Sequence, residues 1–260
     1  MRHAFSLVEL SIVLVILGLL TGGILTGQSL IRAAELRSVT TEFQRYQTAA
    51  LSFRDKYFAM PGDMPNATAF WGTAATCPGV RATAAAGVCN GNGDGVLRND
   101  SPQSHEVFGA WEHLGSAGLV EGTYTGNTYD TGTATSNASM IGTNIPASRM
   151  GNAGWSFYHF TPRPISDTGY FDGPYGYFFF FGATTGTNVS YNPVLTPEEA
   201  WNIDTKIDDG MPATGKVLSL ESQAGNCSDL AASSTVSLTA SKYLLTNTGS
   251  VCSLMMRMGI

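Results

Sequence analysis

Residues 4–10 read Ala-Phe-Ser-Leu-Val-Glu-Leu, and from Leu10 to Ile31 the chain carries no ionisable side chain. A run of about 20 apolar residues is long enough for a helix to cross the hydrocarbon core of a bilayer. Glu9 would then lie inside or at the edge of lipid, where an ionisable side chain costs at least about 2.5 kcal/mol and is usually functional. Arg2 precedes the run and should stay cytoplasmic by the positive-inside rule, so the bulk of the chain is expected to be exported.

This N-terminal region differs from a conventional secretory signal, which has a longer basic segment, a shorter apolar core and a cleavage site after that core. Here a short basic leader ends in the small residue Ala4, and Phe-Ser-Leu-Val-Glu then opens a long apolar run. This order resembles the class III signal of type IV prepilins and type II secretion pseudopilins. The resemblance implies cleavage between Ala4 and Phe5, N-methylation of Phe5 and a role for Glu9 in assembly. Ala4 stands where the family usually has Gly.

The role of Glu9 also follows from electrostatics. Cleavage would leave a positive amine on Phe5, and opposite charges attract far more strongly in a low-dielectric medium than in water. A Glu9 that meets the Phe5 amine of another subunit neutralises both charges. Such a contact would set the axial register of a filament, because an uncompensated buried charge is strongly penalised. The alternative is an ordinary signal anchor whose Glu9 reaches the membrane interface.

The helix is expected to continue beyond the membrane to about Phe58. Apolar residues recur every three or four positions as far as Tyr57, charged residues lie mostly between them, and no proline occurs before Pro61. At 1.5 Å per residue such a helix would be about 80 Å long, so its second half must pack on a globular domain. The expected organisation is a leader over 1–4, a transmembrane and filament-core helix over 5–31, an exported half of the helix over 32–60 and a globular head over 61–260.

Composition restricts what the head can be. Charged residues make up 13% of the chain, against about 25% in a typical soluble domain, and 30 residues are Gly. This composition suits an exported, loop-rich domain that contains β-structure. The net charge of −6 gives no electrostatic basis for binding nucleic acid.

The four cysteines, Cys77, Cys89, Cys227 and Cys252, would lie in an oxidising compartment after export. Four cysteines allow three connectivities. Pairing by proximity in the sequence joins Cys77 to Cys89 and Cys227 to Cys252, and the second pair resembles the C-terminal disulfide loop of many type IV pilins. A zinc site made by all four thiolates is the competing interpretation, although the sequence has no C-x-x-C pair.

Residues 90–96, which follow Cys89, read Asn-Gly-Asn-Gly-Asp-Gly-Val. Oxygen ligands at alternate positions with Gly at the sixth are typical of a Ca²⁺-binding loop. The match is partial, because an EF-hand loop has Glu at its twelfth position and this chain has Ser101 there. The alternative is a turn that its own Asn and Asp side chains cap. The candidate ligands are the side chains of Asn90, Asn92, Asp94, Asp100 and Glu106 and the carbonyl of Val96.

A second acidic group follows a predicted helix start. Residues 196–199, Thr-Pro-Glu-Glu, form a capping box with proline in the first turn, which predicts that a helix begins there. Apolar residues then share one face, which places Asp204 and Asp208 together on another face, with Asp209 next in the chain. These carboxylates are interpreted as the acid and nucleophile of a glycosidase, as Ca²⁺ ligands, or as acceptors for loop amides. We favour a structural or calcium-binding role.

The remaining pattern completes the fold class. A further helix is expected from Ser101, with Phe108, Trp111 and Leu114 on its apolar side. Residues 175–181 are predominantly aromatic and predict a strand that is buried on both faces. The other expected strands are 216–220, 236–245 and 251–258. The fold class is therefore α+β and pilin-like, with a long N-terminal helix packed on an antiparallel β-sheet with long loops.

The resemblance implies a structural subunit of a type IV pilus-like or secretion pseudopilus filament. Such a subunit is single-pass in the inner membrane of a Gram-negative-type bacterium before assembly, and part of a periplasmic or cell-surface filament afterwards. Its partners would be copies of itself or other pilins, a prepilin peptidase and an inner-membrane assembly platform. Ca²⁺ is the one cofactor expected, and no catalytic residue is assigned. The alternative is a membrane-anchored exported enzyme, such as a glycoside hydrolase that uses Asp204 and Asp208.

Overall fold

The computed structural model describes residues 7–75, 77, 87–97, 106–126, 138–160, 175–184, 189–220, 223, 225–230 and 241–259. Its helices are α1 (Leu7–Tyr57), α2 (Thr68–Trp71), α3 (Glu106–Ser116) and α4 (Pro197–Ile207). Its strands are β1 (Gly154–Phe160), β2 (Gly176–Gly182), β3 (Val217–Ser219) and β4 (Leu254–Arg257). The four strands form one antiparallel sheet in the order β1-β2-β4-β3.

Helix α1 is one continuous helix of 51 residues with two different halves. From Leu7 to Ile31 almost every side chain is exposed, although nearly all are apolar. From Val39 onward the helix buries a stripe of side chains at helical spacing, which consists of Val39, Glu42, Phe43, Tyr46, Ala49, Ala50 and Phe53. The prediction of a single long helix whose second half packs on a head is confirmed for the described residues.

The buried stripe of α1 packs on one face of the sheet. Tyr46 contacts Trp155 of β1 with a ring-centroid distance of 5.7 Å, and Phe43 meets Phe179 of β2 edge to face at 6.1 Å. Trp111 of α3 closes the same cluster, 4.9 Å from the Tyr46 ring. Such edge-to-face contacts add to the free energy of burying the rings. This part of the core therefore lies between α1, α3 and one face of the sheet.

Strand β2 confirms the prediction from the aromatic run. Phe178, Phe179, Phe180 and Phe181 are all fully buried. Alternate side chains point to opposite faces of a strand, so both faces of β2 are covered. One face lies against α1, and on the other face Phe180 lies 6.0 Å from the ring of Tyr191.

The other expected elements have different outcomes. Strands β3 and β4 confirm the predictions over 216–220 and 251–258. The strand expected over 236–245 is wrong for the described part, 241–245, which makes only an isolated bridge from Tyr243 to Ser228, and 236–240 lie outside the described residues. Helix α3 buries Phe108, Trp111 and Leu114 as expected, and its expected start over 101–105 lies outside the described residues.

Both predicted disulfides are present. Cys77 is joined to Cys89, and Cys227 is joined to Cys252. The second bond fastens the segment before β4 to a loop 25 residues earlier, and a backbone bridge between Cys252 and Leu195 continues the connection to the residue before the α4 N-cap. This connectivity excludes the zinc site made by four thiolates, because disulfide sulfurs are not thiolates.

Candidate functional site

The N-terminal half of α1 is the first candidate site, because its apolar side chains cover the whole circumference of the helix. Leu7 is 84% exposed and Leu19 72% exposed, and Glu9 lies among them on the exposed surface. The segment from Leu7 to Ile31 is about 37 Å long, against about 30 Å for the hydrocarbon core of a bilayer. Among the described residues, α1 is the one helix long and apolar enough to cross a membrane.

The hydroxyl groups of this segment are hydrogen-bonded within the helix itself, which a polar group needs when no water surrounds it. Its four hydroxyl groups donate to carbonyl oxygens three or four residues earlier in the same helix, at 2.9–3.1 Å. These groups belong to Ser11, Thr21, Thr26 and Ser29. A hydroxyl that is satisfied inside its own helix needs no water, so it is tolerated in lipid or between packed helices.

The head is fastened to α1 where the apolar segment ends. Arg32 donates to Glu199 of α4 at 2.8 Å and to Glu35 at 3.0 Å. Glu199 also completes the predicted capping box, because it accepts from the amide of Thr196, whose side chain accepts from the Glu199 amide. Burial alone would raise the pKa of Glu199, but the hydrogen bonds from Arg32 and Thr196 outweigh burial and lower the pKa. The charge pair therefore holds α4 beside α1.

The loop after Cys89 brings three carboxylates together. Oxygens of Asp63, Asp94 and Glu106 lie within 4.8 Å of one another. Asp63 was not predicted, since it precedes the loop by about 30 residues and no motif marks it. It accepts hydrogen bonds from the amides of Gly93 and Gly95 at 2.8 and 2.9 Å. Burial raises the pKa of Asp63, and these amide hydrogen bonds oppose the rise.

The predicted ligands of this loop make the hydrogen bonds of a capped turn. Asn92 accepts from the amide of Asp94, and Asp94 accepts from the amide of Val96, both at 2.9 Å. Asn90 accepts from the amide of Thr68 at 2.9 Å. The contacts of Asn92 and Asp94 are those that the alternative interpretation of the loop requires, whereas the contact of Asn90 joins the loop to α2. Calcium binding stays a prediction, with Asp63 added to the carboxylates near the loop.

The acidic group at the end of α4 comes together as expected, with oxygens of Asp204, Asp208 and Asp209 within 4.8 Å of one another, but the position of Asp204 differs from the expectation. Asp204 is not on a face apart from the apolar residues: it is fully buried beside Ile203. Its carboxylate accepts from the hydroxyl of Tyr243 at 3.0 Å and from the amide of Gly210 at 3.2 Å. Tyr243 lies 39 residues further along the chain, and its hydroxyl supplies the polar partner that lets the carboxyl group enter the core.

Asp208 and Asp209 hold the turn that leads into β3. Asp208 accepts from the amides of Lys216 and Val217, and Asp209 accepts from the amide of Met211 at 2.8 Å. The three carboxylates therefore act as acceptors, mainly for loop amides, which is the third interpretation of this group. Burial raises the pKa of Asp204 to about 7. A substrate does not reach Asp204, which argues against Asp204 and Asp208 as the paired carboxyls of a glycosidase.

The structure contains a groove on α1 that the sequence did not predict. It encloses about 370 Å³ and is lined by Arg37 and Arg45 of α1, by Glu121, and by Arg149 from the segment before β1. Glu42 holds that segment in place, because its carboxylate accepts from the amide of Arg149 at 2.9 Å. No local pattern joins Arg149 to α1, since the contact spans 107 residues of sequence.

Three of the predicted site residues, Ala4, Phe5 and Asp100, lie outside the described residues. Glu9 lies on the exposed apolar segment, and the four cysteines form the expected pairs. A scan against protein-family models, a search of curated proteins and a search of solved structures each found no match.

Proposed function

We propose that this chain is a structural subunit of a type IV pilus-like or secretion pseudopilus filament. In this proposal a prepilin peptidase cleaves between Ala4 and Phe5, and the subunit polymerises through α1. The observation that carries the proposal is the division of α1. One uninterrupted helix is apolar and exposed around its circumference over 7–31 and then buries a stripe against its own head.

The exposed half of α1 needs an apolar surrounding. Soluble monomers rarely expose contiguous apolar patches larger than a few hundred Å². Lipid supplies that surrounding for a single subunit, and the same segments of neighbouring subunits supply it in a filament. The chain would therefore be single-pass in the inner membrane before assembly, and in a periplasmic or surface filament afterwards.

The glycines of this segment favour close helix packing. A Cβ atom added at Gly18, Gly22, Gly23 or Gly27 would meet nothing within 4 Å. The backbone is therefore open to a neighbouring helix on these sides. Small residues four apart let helices approach closely in lipid, where dispersion contacts drive their association.

Glu9 gives the association of these helices a defined register. Its carboxylate lies in the apolar segment, where the methylated amine of Phe5 from a neighbouring subunit would be its natural partner. Apolar helices alone can slide past one another with little change in contact energy. A charge pair at a fixed position penalises every other register.

Replacement of Glu9 tests this proposal. Glu9→Ala should leave membrane insertion and both disulfides of the head intact, while cross-linked multimers and sheared filaments are lost. Ser11→Ala is the matched control, because it removes a polar group from the same segment without a change in charge. Normal filaments in the Glu9→Ala variant would contradict the proposal.

A further inference from the structure

The groove on α1 carries more positive than negative charge. Arg37, Arg45 and Arg149 line it, and the nearest acidic side chain to Arg45 is Glu121, at 4.0 Å and 93% exposed. An exposed pair at that distance contributes little. Among the residues that the structure describes, no acidic side chain lies within 4.0 Å of the guanidinium groups of Arg37 and Arg149.

The other acidic side chain that lines the groove, Glu42, is already hydrogen-bonded within the head. Glu42 is 8% exposed, and its two carboxylate oxygens accept from the amide of Arg149 and from the indole of Trp155, at 2.9 and 2.8 Å. The groove is therefore a basic surface on a chain whose net charge is −6. A local excess of positive charge on an acidic protein attracts an anionic partner.

The exposed face of α4 lies on the opposite flank of the subunit. Glu198 and Trp201 of α4 are both exposed, and residues three apart are neighbours on a helix surface. Asp209 is exposed just beyond the end of α4, and Lys206 is the one cation of that helix. This face therefore combines an exposed carboxylate with an exposed indole ring.

The two surfaces lie on different sides of α1. Arg45 and Gln47 are two residues apart, which is about 200° of rotation around a helix. Gln47 donates to the carbonyl of Met258 at 2.8 Å and accepts from Lys216 at 3.3 Å, so its side of α1 faces the ends of β3 and β4. Helix α4 contacts both α1 and β3. The groove and α4 thus flank the head on opposite sides.

We propose that the groove receives α4 of a second copy of this chain. Glu198 of the second copy pairs with Arg45 and Arg149, and the ring of Trp201 packs against a guanidinium group. Trp and Arg are enriched among the residues that contribute most to the binding energy of protein interfaces, and a guanidinium group is attracted to the face of an indole ring. The inference rests on the proposed function, since it names a contact between heads in the filament.

The geometry of the contact suits a filament. The groove and the α4 face are different surfaces, so the contact between two copies is heterologous. A heterologous contact that does not close into a ring repeats into an open helical assembly. Each added subunit would present a free groove at one side and a free α4 at the other.

Anionic lipid is a less suitable occupant. Arg45 lies fourteen residues beyond Ile31, the last residue of the apolar run. That is about 21 Å along the helix. The headgroup region extends only about 5–8 Å beyond the hydrocarbon core on each side. Arg45 is therefore out of reach of the headgroups when α1 stands upright in the membrane.

A zero-length cross-link tests the contact directly. Arg45→Lys keeps the positive charge and supplies an amine, so a carbodiimide should join it to Glu198 in assembled full-length protein. We expect covalent multimers whose digest contains the peptide of residue 45 linked to the peptide of residue 198. Arg54→Lys lies on the same helix beyond the groove and should give no such link. Assembled Arg45→Lys protein without the link from residue 45 to residue 198 would overturn the proposal.

Charge reversal provides the second test. Arg45→Glu and Glu198→Arg should each reduce filament yield at least tenfold, and the double variant should recover most of the yield. Single variants that assemble normally, or a double variant without recovery, would overturn the proposal. Intact disulfides and a protease-resistant head verify folding. If a reversal prevents folding, Arg149→Gln and Glu198→Gln replace it, and each should reduce the yield by a smaller factor.

Two parallel measurements separate the outcomes. If Glu9→Ala protein assembles normally, the filament proposal fails whatever the groove does. If Glu9→Ala protein fails to assemble while the groove variants assemble, only the present inference fails.

Binding to vesicles of anionic phospholipid should be the same for the original protein and for Arg45→Glu. A loss of vesicle binding in Arg45→Glu would identify lipid as the occupant and overturn the inference.

Discussion

Asp204 combines complete burial with an ionisable group, so it should couple folding to pH. Burial raises the pKa of Asp204 to about 7 in the folded protein, whereas an unperturbed Asp has a pKa of about 3.9. The folded state therefore binds the proton more tightly than the unfolded state. The resulting stabilisation is fully present below about pH 4 and is lost as the pH rises through about 7.

The first prediction at the scale of single residues concerns Asp204→Asn. The free energy of unfolding of the original protein should fall by about 2 kcal/mol between pH 5 and pH 8, and the variant should lose most of this dependence because Asn mimics the neutral carboxyl group. Denaturant unfolding in detergent, followed by Trp fluorescence, measures the effect. Asp55→Asn is the control, since its side chain is 73% exposed. An unchanged pH dependence in Asp204→Asn would contradict the prediction.

The same variant also bears on the enzymatic alternative. A buried Asp204 that accepts from Tyr243 and Gly210 explains a stability role without catalysis. If the purified original protein hydrolyses a polysaccharide and Asp204→Asn abolishes that turnover with the fold intact, the glycoside hydrolase becomes the better hypothesis.

A second prediction at the residue scale is that Phe5 is the mature N-terminus. Intact-mass analysis of assembled protein should give the mass of residues 5–260 plus one methyl group, with two disulfides. Ala4→Leu should block the processing, because the small residue before the cut is replaced by a bulky one. Assembled material that retains residues 1–4 would contradict the prediction.

At the scale of elements, the loop after Cys89 is where calcium should act. Asp63, Asp94 and Glu106 place three carboxylates within 4.8 Å, and a divalent cation would offset their mutual repulsion. Ca²⁺ should raise the free energy of unfolding by about 2.7 kcal/mol at a hundredfold excess over its Kd. Mg²⁺ should have a much smaller effect, because it gives up its water ligands reluctantly.

Thermal unfolding in the presence of Ca²⁺ and of a chelator measures this gain. Asp94→Ala should remove most of it, and Asp209→Ala, in the other acidic group, should not change it. A melting temperature that responds to neither Ca²⁺ nor chelator would leave the loop as a turn capped by Asn92 and Asp94.

The capping box of α4 gives another prediction at this scale. Glu199→Ala removes the acceptor for both Arg32 and the Thr196 amide, so it should destabilise the head by about 1–2 kcal/mol at pH 7. Because the pKa of Glu199 is lowered, this contribution is present above about pH 4.3 and is lost as the pH falls through the lowered value. Chemical unfolding at pH 7 and pH 3 measures the difference.

Glu198→Ala is the control for this prediction, because Glu198 is one residue earlier and exposed. It should change the free energy of unfolding by less than about 0.5 kcal/mol. Equal losses of stability in Glu198→Ala and Glu199→Ala would contradict the prediction.

The elements show what the sequence can predict. Helix α1 and strand β2 follow from the order of neighbouring residues, because apolar runs and helical spacing are local properties. The start of α4 was predictable for the same reason, since a capping box is complete within four residues.

The features that were missed depend on distant residues. The burial of Asp204 requires Tyr243, and the group of carboxylates at the loop after Cys89 requires Asp63 from the turn after α1. The strand expected over 236–245 had the right composition, but its described part has only one bridge, to Ser228. Tertiary contacts decide such cases, and a single sequence does not contain them.

At the scale of the whole molecule, the head and the exposed apolar segment over 7–31 share one helix. The aromatic core and the pair of Arg32 with Glu199 fix the orientation of the head relative to α1. Any contact that positions the heads in an assembly therefore also positions the apolar segments. Contacts through the groove and contacts through Glu9 are expected to support one another.

Because α1 is one uninterrupted helix, a rotation of the head moves the far end of the helix as well. About 45 Å separate Val39, where the helix begins to bury side chains in the head, from Glu9. Tilting the head by about 5° about that point would move Glu9 sideways by about 4 Å. An ion pair requires a distance of at most about 4 Å between its nitrogen and oxygen atoms. A displacement of the same size is therefore enough to separate the carboxylate of Glu9 from its partner. A substitution on the head, far from the apolar segment of α1, can therefore break a contact at the other end of the helix without touching either partner.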